Sequence, residues 1–75
     1  MNQFNPKLDA AQKYLNALED AIFWHFAFMK RIRDVRSIDK AEYPGLWEMK
    51  NLKALEAYED RNETLKLARK WKDKS

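Results

Sequence analysis

The chain has no cysteine, one glycine (Gly45) and two prolines (Pro6 and Pro44) among its 75 residues. Without cysteine there is no disulfide and no thiolate metal site, and nothing calls for an oxidising compartment. With so few helix breakers, the chain is punctuated only at Asn5-Pro6 and Pro44-Gly45, which favours a few long elements over many turns. Long apolar runs are also missing. The longest, AIFWHFAFM at 21–29, is interrupted by His25 and falls far short of the about 20 residues needed to span a membrane. The opening MNQFNPKLDAAQ does not follow the basic-then-apolar order of a secretory signal, so a cytoplasmic location is expected. Hydroxyl nucleophiles are scarce: Ser37, Thr64 and Ser75 are the only ones outside tyrosine, and none sits in a catalytic motif. Helix-turn-helix spacing, zinc-finger spacing and a glycine-rich phosphate loop are all absent. We therefore expect no enzyme activity, no cofactor, no metal and no small-molecule substrate.

What the chain does have is apolar and aromatic weight. Apolar residues make up 45% and charged residues 36%, with three Trp, three Tyr and four Phe, a composition too rich in large apolar groups for general disorder. Fifteen basic residues against 12 acidic ones give a net charge of +3, which permits contact with nucleic acid or an acidic protein and requires neither. A chain of this length forms one domain at most and buries only a modest share of its surface. Small scaffolds usually need a staple, and with disulfides excluded self-association is the natural one.

Asn5 and Pro6 read as the N-cap and first residue of a helix spanning 6–36. Within it Leu8, Ala11, Leu15, Leu18, Ile22, His25, Met29 and Ile32 recur at alternating spacings of four and three, a heptad seam held for about four heptads. Residues 37–44 form a corner, with Ser37 or Asp39 as local caps and Tyr43 held out of helical geometry by the following proline. A second helix, 45–72, carries a less regular stripe of Trp47, Ala54, Tyr58, Leu65 and Ala68, with Leu52 and Leu55 slanting off it and Arg61 and Asn62 interrupting it. Two helices of similar length and a short corner predict an all-α antiparallel helical hairpin.

The aromatic run raises the question of partners. With Leu8 at heptad position a, apolar residues fill a, d, g and c, an arc wider than one neighbouring helix covers. Phe23 at b and Phe26 at e lie outside even that arc. The economical resolution is a coiled-coil-like homodimer, two hairpins closing into a four-helix bundle through Leu15, Leu18, Ile22, His25, Met29 and Ile32. His25 would then be a core histidine that fixes register. Phe23 and Phe26 are candidate docking residues for another protein, since aromatic side chains anchor interfaces.

Two charged features carry alternative readings. Glu56, Glu59, Asp60 and Glu63 gather on one side of the second helix, where ion pairs with Lys53, Arg61 and Lys66 account for them without chemistry. Basic runs end both helices, KRIRDVR at 30–36 and KLARKWKDK at 66–74. Cations suit helix C-termini, yet basic residues around Trp71 also suit phosphate backbones and base stacking. Arg31, Arg33, Arg69, Lys70, Trp71 and Lys72 are the candidate contacts. The expectation is a small non-enzymatic module that self-associates and regulates or inhibits a partner protein by occlusion, as stand-alone regulators of phages and plasmids do. A nucleic-acid-binding accessory protein and a structural subunit of a larger assembly are the alternatives.

Overall fold

A computed structural model describes residues 5–75, in which two helices form an antiparallel hairpin: α1 (Pro6–Arg36) and α2 (Pro44–Lys74). Each helix has 31 residues, or about 46 Å at 1.5 Å per residue. The start of α1 is fixed by local chemistry. The Asn5 side chain accepts from the backbone N–H groups of Lys7 and Leu8, at 3.1 and 3.3 Å, and Pro6 takes the first helical position, where no donor is needed. The corner closes through Asp39, whose Oδ1 accepts from the Ala41 and Glu42 N–H groups while its carbonyl accepts from the Tyr43 N–H at 2.8 Å. Tyr43 has the non-helical geometry expected before proline (φ −127°, ψ 63°). Pro44 and Gly45 lie inside the first turn of α2. No described residue has a positive φ, so the corner does not rely on glycine.

The helices meet along a heptad seam. On α1 it runs through Ala10, Tyr14, Ala17, Ala21, Trp24, Phe28, Arg31 and Val35, and on α2 through Trp47, Lys50, Ala54, Ala57, Arg61, Thr64, Ala68 and Trp71. Its buried members are all small: among the described residues the buried ones are six alanines and Val35. Alanine on both sides lets the backbones approach closely, and the large residues interleaved with them lap over the seam from its edges. The c and g rows of α1 therefore face α2, while the a and d rows, read in the sequence as the principal seam, lie beside it or outside it. The α2 stripe needs a matching correction. Tyr58 is exposed and Leu65 half-buried, and Arg61 does not interrupt the stripe but belongs to the seam, together with Ala57 and Thr64.

Cross-helix contacts set the register. Arg31 Nη1 donates to the Lys53 carbonyl at 2.8 Å, Arg61 Nη1 donates to His25 Nδ1 at 3.1 Å, Phe28 and Tyr58 approach at 5.4 Å between centroids, and Lys13 lies 4.5 Å over Trp71. Each contact joins residues equidistant from positions 42–43, so one register holds along the whole hairpin. The result is a rod. Its radius of gyration is 17.6 Å, against about 11 Å for a compact chain of this length.

Candidate interaction surface

Large apolar side chains stand outside the seam. Leu8, Leu15 and Ile22 on the a row are 58%, 56% and 55% exposed, and Phe23 and Phe26 are each 64% exposed. Burying a side chain of this size contributes about 1.5–3 kcal/mol, so their exposure is a sizeable stabilisation not taken up within the hairpin. The surface totals 6164 Å², about 1,300 Å² more than the roughly 4,900 Å² expected for a compact 9.1 kDa chain.

These side chains are not spread evenly. Along one face, a shallow apolar groove is lined by Leu18, Ala21, Ile22, His25, Phe26, Arg61 and Leu65. It continues toward the corner past Phe28, Ile32, Asn51, Ala54, Leu55 and Tyr58. The opposite face is mixed: Phe23, Leu46 and Leu67 are exposed on it, and nearer the corner Lys30, Arg31, Asp34, Lys50 and Lys53, with Ala27, line a cleft. Of the residues expected to form an oligomer interface, Leu18 and Ile32 are half-buried along the groove, Ile22 and His25 line it and are exposed, and Leu15 and Met29 are exposed on the same rows beyond it. The two docking candidates separate. Phe26 lines the groove, whereas Phe23 stands on the b row and packs edge-on against Trp24 at 5.3 Å.

His25 is exposed on the hairpin. It does link the helices, because its Nδ1 accepts from Arg61 and its ring proton therefore sits on Nε2. The Arg61 guanidinium lies 4.7 Å over Tyr58 and 5.6 Å over Phe28, and its Nε is buried without a hydrogen-bond partner. Sequence reasoning had Tyr58 and Leu65 on the apolar stripe of α2 but took Arg61 for an interruption. The line 47, 50, 54, 57, 61, 64, 68, 71, on which Arg61 lies, carries alanine, lysine and threonine at its key positions and so gives no hydrophobic signal.

The acidic group on α2 resolves only in part. Lys66 pairs with Glu63 at 3.6 Å, whereas Arg61 turns to α1, leaving the expected network incomplete. Among the described residues no three His, Cys, Asp or Glu side chains are placed to hold a metal. The basic candidates also divide. Arg31 is half-buried and donates to the Lys53 carbonyl, while Arg33, Arg69, Lys70 and Lys72 are exposed. Trp71 is half-buried, with Lys13, Lys74 and Lys70 at 4.5, 4.9 and 5.7 Å from its ring, an arrangement that leaves little face for a base. No described helix is long and apolar enough to cross a membrane. No protein-family model matches the chain, nor does any curated protein or solved structure.

Proposed function

We propose that the chain is a non-enzymatic, all-helical protein-binding module that self-associates, two hairpins closing into a four-helix bundle, and that it regulates or inhibits a partner protein by occlusion. The observation that supports this reading is the apolar groove with its exposed a-row rim. Around α1, the rows facing α2 and the a and d rows lie about a quarter-turn apart. That is the angle between a helix's two neighbours in a square four-helix bundle. An interface of ordinary size buries about 800 Å² per partner, well within the surface excess of the rod. Phe23, on the side of α1 away from the groove, stays accessible in such a bundle and is the candidate contact for the regulated protein. A cysteine-free chain suits a cytoplasmic setting.

Sedimentation equilibrium tests the reading directly. A dimer mass at micromolar concentration is expected, and a lone folded chain at high micromolar concentration would remove it. Open-ended polymers would point instead to a structural subunit. One observation favours a nucleic-acid reading: Lys30, Arg31, Lys50 and Lys53 meet in the cleft on the face opposite the groove. If they bind phosphates, affinity for generic DNA or RNA will fall steeply with salt, and Lys50→Glu with Lys53→Glu will abolish it. No shift with either polymer at low salt retires that alternative.

A further inference from the structure

The groove has an internal symmetry. Position 23–24 on α1 is level with 61–62 on α2, because the cross-helix contacts are all equidistant from 42–43. About that level, Leu15 mirrors Ile32, Leu18 mirrors Met29 and Ile22 mirrors His25. On α2, Tyr58 mirrors Leu65 about the same level. The groove-side a and d rows of α1 thus map onto themselves when the chain is turned end for end, and on α2 the pair Tyr58 and Leu65 does the same. A surface that is self-complementary under that operation is what a two-fold interface requires.

Charge points the same way. The first half of α1 carries Asp9, Glu19 and Asp20 against Lys7 and Lys13, while its last turns carry Lys30, Arg31, Arg33 and Arg36 against Asp34. Glu19 and Arg33 both lie on the e row, at the rim of the groove, and both are exposed. Neither is paired: the ion pairs among the described residues are Asp9 with Lys13 and Glu63 with Lys66. Parallel α1 helices would set acidic half beside acidic half and basic beside basic. Antiparallel ones set Glu19 within about a turn and a half of Arg33 of the second copy. Pairing α1 with α2 of the second copy is less favourable, because the groove side of α2 carries Glu48, Asn51, Asn62 and Arg69 among its apolar residues.

We infer that the groove is occupied by a second copy of this chain, with the two α1 helices antiparallel about a two-fold axis between Ile22 and His25. The inference rests on the self-association reading and adds its geometry. Leu15 packs on Ile32 of the second copy, Leu18 on Met29 and Ile22 on His25. The same axis, crossing α2 beside Asn62, sets Tyr58 against Leu65 of the second copy.

The absence of cysteine permits a clean test. Gln12 is exposed, so Gln12→Cys takes one spin label per chain at a site that does not affect folding. Antiparallel α1 helices place the two labels about 35 Å apart, at 1.5 Å per residue on either side of the axis. Any arrangement with the two α1 helices running the same way brings them to roughly 10–20 Å, given interaxial spacings of about 8–10 Å for neighbouring helices. A dimer mass with a 35 Å distance supports the inference. A dimer mass with a short distance overturns the orientation and leaves self-association standing. A monomer mass with no dipolar coupling overturns the self-association reading itself. As a second measurement, Glu19→Lys weakens the dimer by about two- to fivefold, and adding Arg33→Glu restores it. No change in the single variant, or a further loss in the double, overturns the antiparallel pairing.

Discussion

The seam and the groove differ in what fills them. Between α1 and α2 the closed positions belong to alanines, with Val35 the largest buried side chain. On the outer side of α1 the open positions belong to leucine, isoleucine and phenylalanine. In a self-contained small domain the larger apolar groups sit inside and the smaller ones are tolerated at the edges. Here the order is inverted, and the inversion separates two roles. Small residues hold the hairpin by backbone proximity and van der Waals contact, while large ones form a surface that one hairpin alone leaves in water.

The sharpest way to break this contrast is to charge the seam. Ala57 is fully buried and level with Phe28 of α1. Asp at 57 buries a carboxylate in the closed seam, where the neighbouring cation Arg61, a turn further along α2, is already turned to His25, at a cost of about 3–5 kcal/mol. A chain of this length has a total stability of about 4–11 kcal/mol, so Ala57→Asp should lose most of its helical circular dichroism at 25 °C. A melting temperature within a few degrees of the parent would show that the seam is not what holds the hairpin.

Charging the groove should act differently. Ile22 is more than half exposed and stands outside the seam, so Ile22→Asp should keep most of its helical signal in the cold while losing association. Each dimer would forgo two buried isoleucines, about 3–6 kcal/mol together, which raises the dissociation constant more than a hundredfold. Circular dichroism and sedimentation on the same sample separate the outcomes. If helicity vanishes together with the dimer, folding and pairing are one step, and the distinction between seam and groove has no energetic meaning.

These variants also mark how much of the molecule was legible in the sequence. The two helices, the capped start at Asn5-Pro6 and the corner followed from residue types with strong local signals. The breadth of apolar surface on α1 followed from the wheel. Which rows face α2 did not, because hydrophobic periodicity ranks leucine and isoleucine above alanine, whereas close helix approach selects for small size. On that ranking Leu15 and Ile22 looked like seam residues, while Ala17 and Ala21 counted only as part of the wide apolar arc. Arg61 looked like an interruption because a cation in a seam has no periodic signature. Its role depends on a histidine and two rings that only the fold brings together.

Arg61 is where seam and groove meet, and it gives the mildest test. The guanidinium gains from Tyr58, Phe28 and His25, yet it carries a charge with no carboxylate among its described ion pairs and a buried Nε with no acceptor. Replacing a partly buried cation with an apolar chain of similar length removes the desolvation penalty along with the attraction, and such exchanges are often neutral or stabilising. A cation over an aromatic ring is worth about 0.5–1 kcal/mol when partly exposed, so the two terms nearly cancel. Arg61→Met should therefore shift hairpin stability by no more than about 1 kcal/mol, as read by urea melts of the Ile22→Asp background, where association does not contribute. Combining it with His25→Ala isolates the hydrogen bond, and the coupling should be about 0.5–1.5 kcal/mol. A loss above about 2 kcal/mol from Arg61→Met alone would place Arg61 with the alanines as part of what holds the helices together. The boundary between the closed and open sides of the rod would then lie one row further toward the groove.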